Sequence, residues 1–112
     1  MAGRRRYRVA WSESATHDLL AIVAYLAARS PTAARRVLHD LRLEASGLAT
    51  LPLRGRHVPE LAELGVRAWR EVIVPPYRLV YRVANRDVRV VLVVDGRREL
   101  ENLLVDRLLR EG

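Results

Sequence analysis

The chain has 112 residues, half of them apolar, which is enough for one domain spanning 1–112 with its own hydrophobic core. It contains no cysteine, and its longest apolar run, residues 19–28, is too short to cross a bilayer, so disulfides, cysteine nucleophiles and a membrane segment are excluded and a cytoplasmic location is expected. The net charge of +7, carried by arginine because lysine is absent, points to an anionic partner, either nucleic acid or an acidic protein.

The N-terminal half predicts one strand followed by two helices. In residues 7–11, large apolar side chains stand at every second position, which is the pattern of a strand. Ser12 follows as an N-cap, and apolar residues at helical spacing continue to the Ser-Pro pair at 30–31, which ends this helix and begins a second one. So short a link requires an antiparallel helical hairpin. We expect the basic residues 1–6 before the strand to form a flexible tail.

The C-terminal half predicts a three-stranded meander and a last helix. Residues 52–60 form a loop, because prolines and a glycine interrupt them. Strands are predicted over 66–74, 77–84 and 88–95, and their short connections make them antiparallel. Leucines at helical spacing in 97–110 predict a final helix. The order β-α-α-β-β-β-α describes an α+β domain whose helical hairpin packs on one face of a small antiparallel sheet.

The strand at 77–84 carries Arg78 and Arg82 on one side and apolar side chains on the other. If the loop to the next strand held an odd number of residues, both arginines would lie among valines, at a cost of several kcal/mol per unpaired ion. We therefore predict an even loop. It places these apolar residues together on the helix-covered face: Leu79, Tyr81, Val83, Val88, Val90, Leu92 and Val94. The opposite face is then open, and Arg78 meets Gly96, Arg97 and Arg98 at one end of it.

Two features of this open face are not decided by the sequence. Arginine on the wet face of an antiparallel sheet is ordinary surface, and a nearby carboxylate, Glu71 or Asp95, could pair with Arg78 as a structural ion pair. The prolines at 75–76 do not make a tight turn. The sequence therefore does not determine which side chains of strand 66–74 point toward the open face.

Four stretches, in this order and spacing, resemble the RelE/ParE superfamily of toxins from type II toxin–antitoxin modules. They are WSESATHDLLAIVAYL (11–26), PLRGRHVPEL (52–61), YRLVYRV (77–83) and VLVVDGRRELENLL (91–104). The likeness extends over 7–109. It implies the fold predicted above and an antitoxin that neutralises the toxin.

The superfamily has two activities. RelE-like members cut messenger RNA in the ribosome, and for that branch the resemblance implies that Arg78 and Arg98 stabilise the phosphate. The lysines and the tyrosine that complete the ribonuclease site have no counterparts, because the chain lacks lysine and Leu104 stands in the tyrosine's place. Of the three histidines, only His57, in the basic loop, is a candidate to move protons instead.

ParE-like members share the fold without this ribonuclease set and inhibit DNA gyrase, so the resemblance favours that branch. Such a toxin is an inhibitor and not an enzyme. Its target-binding surface is assigned to the basic residues Arg54, Arg56, Arg78, Arg82, Arg97 and Arg98. The alternatives are the RelE-like ribonuclease, which acts on the ribosome and mRNA, and a module that binds an antitoxin without being toxic.

The partner that the resemblance implies is a ParD-like antitoxin, an acidic chain with an amphipathic helix. A groove on the helical hairpin would receive that helix. Its predicted apolar residues are Leu19, Leu20, Val23, Tyr25, Leu26, Val37 and Leu41. No cofactor is expected, and no metal site is expected because the histidines lack ligand spacing.

Overall fold

The computed structural model describes residues 6–97 and 100–111, so most of the predicted tail at 1–6 lies outside the described residues. The elements follow the predicted order, with one short strand and one short helix added. They are β1 (Arg8–Trp11), α1 (Glu13–Ala27), α2 (Pro31–Gly47), β2 (Arg56–His57), α3 (Pro59–Ala62), β3 (Trp69–Val74), β4 (Tyr77–Ala84), β5 (Asp87–Asp95) and α4 (Glu101–Glu111). The predicted α+β class is confirmed. No helix in this part of the chain is long and apolar enough to cross a membrane.

The predicted capping residues begin both helices of the hairpin. The Ser12 hydroxyl accepts a hydrogen bond from the Ala15 amide at 3.0 Å, and the Ser30 hydroxyl accepts one from the Ala33 amide at 3.2 Å. Pro31 opens α2, where its missing N–H costs nothing because the first amides of a helix have no partner within the helix. Local sequence therefore sets the two helix starts.

Five strands form one mixed sheet in the order β1-β5-β4-β3-β2. The strands β2 to β5 are antiparallel neighbours, which confirms the predicted meander and extends it by β2. In contrast, β1 pairs with β5 in parallel, from Arg8 beside Asp87 to Trp11 beside Val90. The sequence predicts only antiparallel pairing, and the difference arises because β1 reaches the meander through two helices and not through a tight turn.

Each face of the sheet carries a buried apolar cluster. The first core lies between the sheet and the α1–α2 hairpin, and it contains Ala15, Leu19, Leu41, Ala45, Leu48, Val72, Tyr77, Leu79, Tyr81, Val88, Val90 and Val93. The second core lies on the opposite face, under α3 and α4, and it contains Val58, Leu61, Trp69, Val80, Val91, Leu92, Val94, Leu100, Leu104 and Leu108. The prediction that this opposite face is open is therefore wrong for the half that α4 covers. It holds for the half that bears Arg82 and Arg89.

A β-bulge in β5 decides which residues reach each core. The two-residue turn at 85–86 confirms the predicted even loop, and Asn85 adopts the positive φ of 57° that such a turn requires. Beyond the middle of β4, the register with β5 shifts by one residue. Beyond the bulge, the predicted assignment of the β5 side chains to the two sheet faces is wrong, because Leu92 and Val94 lie in the second core and Val93 lies in the first.

Candidate functional site

Four charged side chains form a connected cluster on the sheet face opposite the α1–α2 hairpin. The Arg78 guanidinium donates from Nε to Glu71 Oε1 and from Nη1 and Nη2 to the two oxygens of Glu60, each at 2.7 Å. Arg56 Nε donates to the other oxygen of Glu71, also at 2.7 Å. Arg78 is only 8% exposed. We call Arg56, Glu60, Glu71 and Arg78 the ion cluster.

Strand pairing and one helical turn bring the ion cluster together. Arg56 on β2 lies opposite Glu71 on β3. Arg78 on β4 lies on the same sheet face, two residues before the β4 residue that pairs with Glu71. Glu60 comes from the first turn of α3, which Pro59 opens. Glu71 and Arg78 therefore form the structural ion pair that the sequence left as an alternative, and Glu60 adds a second carboxylate that the sequence did not predict.

The electrostatics of the ion cluster are balanced. Hydrogen bonding from Arg78 lowers the pKa of Glu60 below its ordinary value of 4.5, although burial acts to raise it. The bonds to Glu60 likewise raise the pKa of Arg78 above its ordinary value, against the effect of burial. Two arginines face two carboxylates, so the cluster offers no excess positive charge, and the guanidinium edge that would hold a phosphate already holds Glu60.

The loop at 52–55 is fastened to the opposite face of the same strands. The Tyr81 hydroxyl donates to the Pro52 carbonyl at 2.7 Å and accepts from the Gly55 amide at 3.0 Å. A Cβ atom on Gly55 would lie 2.6 Å from both the Glu71 carbonyl oxygen and the Tyr81 hydroxyl. Arg70 Nη1 also donates to the Gly55 carbonyl, at 2.8 Å. The motif PLRGR therefore serves to dock this loop, and only glycine fits its fourth position.

His57 lies on the wrong side of the sheet to assist Arg78. It pairs with Arg70, which lies opposite Tyr81, so its side chain points toward the hairpin. Its Nδ1 atom is buried and has no hydrogen-bond partner among residues 6–97 and 100–111. The structure therefore does not place His57 beside Arg78, where that role would require it. Among the same residues, no three acidic or histidine side chains gather closely enough to hold a metal ion.

The structure does not place the Arg97 side chain beside Arg78, where the sequence predicted it. Gly96 does lie against Arg78, since a Cβ atom there would be 3.1 Å from the Arg78 Cγ. The Arg97 side chain, however, pairs with Asp95 at 2.6 Å and lines a groove with α1 and Tyr77, on the hairpin side. Arg98 lies outside the described residues.

The other predicted target-binding arginines are also engaged within the chain. Arg54 pairs with Glu44 of α2, and Arg56 belongs to the ion cluster. The Arg82 guanidinium carbon lies 5.2 Å from the centre of the Trp69 ring, within the range of a cation–π interaction. The five of these arginines that the structure describes therefore do not form one basic patch around Arg78, because strand and loop geometry distributes them over both sheet faces.

Comparison with known proteins identifies the family. The model of the ParE toxin of the type II toxin–antitoxin system parDE matches residues 9–100. The chain belongs to this family. Toxin RelE2 of Caulobacter vibrioides is 39% identical over 87 residues, which are 77% of this ParE-family chain and 91% of that protein. The ParE-family chain is thus a type II toxin of the RelE/ParE superfamily.

Two solved structures share the fold of this ParE-family toxin. The chromosomal ParDE toxin–antitoxin system from P. aeruginosa gives a TM-score of 0.65 at 19% identity, covering 81% of this chain and 97% of that chain. The toxin–antitoxin complex RelBE2 from Mycobacterium tuberculosis gives a TM-score of 0.57 at 24% identity, covering 85% of this chain and 97% of that chain. At these identities the likeness concerns the fold alone.

The antitoxin surface predicted on the helical hairpin needs correction in this ParE-family toxin. Leu19 and Leu41 are buried in the first core, between the helices and the sheet, and cannot contact a partner in the folded state. Three further predicted residues, Val23, Leu26 and Val37, are half-buried against that core. Only Leu20 and Tyr25 are well exposed. Most of the residues assigned to the partner groove therefore belong to the first core or pack against it.

A further apolar surface of the toxin lies between α3 and α4. A groove of about 340 Å³, which we call the α3–α4 groove, is lined by Leu61, Leu64, Val66, Trp69, Val105, Leu108 and Leu109. Beside it, a depression of about 480 Å³ on the uncovered half of the same sheet face is lined by Arg8, Ala10, Arg82, Ala84, Asn85, Asp87, Val88 and Arg89. We call this second region the basic depression. Sequence reasoning missed the groove because it did not predict α3 or the docking of α4. It missed the depression because it did not predict that β1 pairs with β5.

Proposed function

We propose that this ParE-family toxin inhibits DNA gyrase by binding it, without cleaving RNA, and that a cognate antitoxin neutralises it. The observation that carries this choice is the occupied guanidinium of Arg78. Its Nε, Nη1 and Nη2 atoms all donate to carboxylates at 2.7 Å. In the RelE-like alternative, this arginine would hold the phosphate that is being cleaved.

RNA cleavage requires a cation on the phosphate and groups that move protons. A phosphate could reach Arg78 only by displacing Glu60 from two hydrogen bonds. His57 is held on the opposite side of the sheet. The Tyr81 hydroxyl is committed to the 52–55 loop, where it both donates and accepts. Burial also raises the pKa of Tyr81, which makes its proton harder to remove.

The names of the similar proteins favour neither target, since the family model is that of ParE and the Caulobacter relative is named RelE2. Support for gyrase as the target therefore comes from the geometry around Arg78. An antitoxin partner is supported by both structural neighbours, which are toxin–antitoxin systems. The net charge of +7 suits an acidic partner through attraction at a distance as well as through contact.

The test compares two purified assays, gyrase supercoiling with DNA cleavage and cleavage of mRNA on programmed ribosomes. We expect the toxin to block supercoiling, to accumulate cleaved DNA and to leave mRNA intact. Glu60→Gln removes the negative charge and one of the two acceptor oxygens that hold the Nη edge of Arg78, so it would accelerate RNA cleavage if Arg78 served a ribonuclease. We expect it to change neither assay, and the exposed Glu63→Gln serves as the matched control.

Two results would overturn the proposal. One is mRNA cleavage that rises in Glu60→Gln and disappears in Arg78→Ala or Arg98→Ala. The other is activity in neither assay together with normal growth on expression, which would identify a non-toxic antitoxin-binding module. For the partner, we expect the cognate antitoxin to be a small acidic protein encoded beside the toxin. Co-expression of that protein should restore growth, whereas co-expression of an unrelated acidic protein should not.

A further inference from the structure

We propose that one exposed side of α2 binds the sugar–phosphate backbone of duplex DNA. This side carries Arg35, His39 and Arg42, which we call the basic face of α2. The inference goes beyond the proposed function and rests on it for one choice only, because duplex DNA is the substrate of gyrase. Three observations carry it: these side chains have no partner among the described residues, the charges of the helix are separated around its axis, and the face is open to solvent.

The arginines of α2 lack the internal partners that most arginines of this toxin have. Among residues 6–97 and 100–111, most arginine side chains bind a carboxylate, a carbonyl oxygen or an aromatic ring within the chain. The arginines whose side chains have no such contact with another residue of these ranges are Arg6, Arg35, Arg36, Arg42 and Arg67. Three of these lie on α2, so their positive charge is not neutralised within the described part of the chain.

The acidic residues of α2 lie away from its basic face. Successive residues are about 100° apart around a helix axis, so the three residues of the basic face lie within about 60° of one another. The two carboxylates of α2 are Asp40 and Glu44, about 140° and 180° around the axis from Arg35. Glu44 is also paired with Arg54. No acidic side chain of α2 therefore interrupts the basic face.

The basic face of α2 is open to solvent. Leu41 and Ala45 anchor the helix in the first core, whereas all three residues of the basic face are exposed. These three line a depression of about 540 Å³ together with Leu38, Leu43 and Ser46. An anion can therefore reach the two guanidinium groups without displacing an internal partner, in contrast to the guanidinium group of Arg78.

The arrangement suits the phosphates of a duplex. Guanidinium groups form charge-assisted hydrogen bonds to phosphate, and arginine is a common source of backbone contacts in protein–DNA complexes. Arg35 and Arg42 are about 10 Å apart along the helix axis, at about 1.5 Å per residue. Over that length, one strand of a duplex presents about three phosphates, at about 3.4 Å along its axis for each.

The same features disfavour other ligands. No aromatic ring lines the depression at the basic face of α2, whereas proteins that bind single strands stack the bases on aromatic side chains. A duplex presents evenly spaced charges along a straight rod, so it matches a row of cations on a straight helix better than the scattered carboxylates of a protein surface do. Because contacts to phosphates carry no sequence information, we expect binding without sequence preference.

The test measures binding of the full-length toxin to a short fluorescent DNA duplex by anisotropy at several salt concentrations. We expect a dissociation constant of about 10⁻⁴–10⁻⁶ M at physiological salt, as is typical of binding without sequence preference. The double variant Arg35→Gln with Arg42→Gln should weaken binding about tenfold or more. It should also reduce the slope of log affinity against log salt by about two, since each lost phosphate contact contributes about one.

The matched control removes the same two charges elsewhere. Arg67→Gln with Arg110→Gln changes two exposed arginines, one in the loop after α3 and one on α4. This variant should stay within about threefold of the parent affinity and keep the parent salt slope, because it loses only attraction at a distance. Equal urea midpoints establish that each variant is folded.

A single strand of the same sequence and a polyglutamate peptide of similar charge serve as competing ligands. Three results would overturn the inference: no binding of the duplex, tighter binding of either competing ligand, or equal losses in the two double variants. Tighter binding of polyglutamate would identify the basic face of α2 as a surface for an acidic protein instead.

The binding assay contains no gyrase, so this inference and the proposed function can fail separately. A toxin that binds the duplex through α2 but leaves supercoiling unaffected retains the DNA-binding surface and loses the proposed function. A toxin that blocks supercoiling but does not bind the duplex retains the proposed function and loses this surface.

Discussion

Asp18 of α1 and Arg107 of α4 are 89 residues apart in sequence, and together they close the outer edge of β5. Arg107 Nη1 and Nη2 donate to the Asp18 carboxylate at 2.7 and 3.1 Å. Asp18 also accepts from the Val93 amide at 3.0 Å, and Arg107 donates to the Val91 carbonyl at 3.1 Å. Because β1 pairs with β5 only as far as Val90, side chains take the place of a neighbouring strand here.

This pair should stabilise both the sheet edge and the docking of α4. Asp18→Ala leaves the Val93 amide and the Arg107 guanidinium without this acceptor, so we expect a loss of about 1–3 kcal/mol in the free energy of unfolding. Urea unfolding measures the loss, and faster hydrogen exchange in residues 101–111 locates it. Asp106→Ala breaks only an exposed pair with Arg110 and should cost less than about 1 kcal/mol. Equal losses in the two variants would contradict this account.

Removing Arg78 should be among the most damaging single changes on this sheet face. Arg78→Ala deprives the buried Glu71 carboxylate of one of its two arginine partners and removes the two hydrogen bonds from Arg78 to Glu60, so we expect a loss of about 3–5 kcal/mol in the free energy of unfolding in urea. The exposed Arg35→Ala on α2 is the control and should change stability by less than about 0.5 kcal/mol. If Arg78→Ala cost no more than Arg35→Ala, the ion cluster would have no structural role.

The stability of the toxin should depend on the charge of Glu60 in acid. Its pKa is lowered in the folded state from 4.5, chiefly by the hydrogen bonds from Arg78. A lowered pKa means that the folded state holds this proton less tightly than the unfolded state. The resulting stabilisation is present above about pH 4.5 and is lost as pH falls through the lower folded value. The free energy of unfolding, measured with urea between neutral and acidic pH, should therefore decline less steeply for Glu60→Gln than for the parent protein. Glu63→Gln should follow the parent curve.

Gly55 should not tolerate even a methyl group. In Gly55→Ala, the new Cβ atom would lie 2.6 Å from the Glu71 carbonyl oxygen and from the Tyr81 hydroxyl, so the 52–55 loop must shift, at a cost of about 1–3 kcal/mol. Gly47→Ala is the matched control. No heavy atom lies within 4 Å of the Cβ position there, and alanine favours a helix over glycine by up to about 1 kcal/mol. The midpoint temperature of thermal unfolding should therefore fall for Gly55→Ala and rise for Gly47→Ala. A shift of the same sign in both variants would show that the Gly55 site can relax.

Much of the fold followed from local pattern. Ser12 and Ser30 mark helix starts because a cap acts within one turn of the chain. The even number of residues in the loop between β4 and β5 follows from the alternation of the strands on either side. The apolar spacing of the last helix likewise indicated its existence, although not the surface that it covers. Such features depend on residues a few positions apart, so the amino-acid sequence by itself determined them.

Contacts between distant segments decided the rest. The bulge in β5 arises in a run of valine and leucine without a local signal, and it redirects Leu92, Val93 and Val94 to opposite cores. Glu60 reaches Arg78 from α3, which follows the 52–55 loop that Tyr81, 29 residues beyond Pro52, holds by a hydrogen bond. These choices depend on which surfaces meet after the chain has folded. The alternation of side chains along the strand could therefore place an arginine on one face of the sheet. Only the tertiary structure determined that a carboxylate already binds the guanidinium group of that arginine.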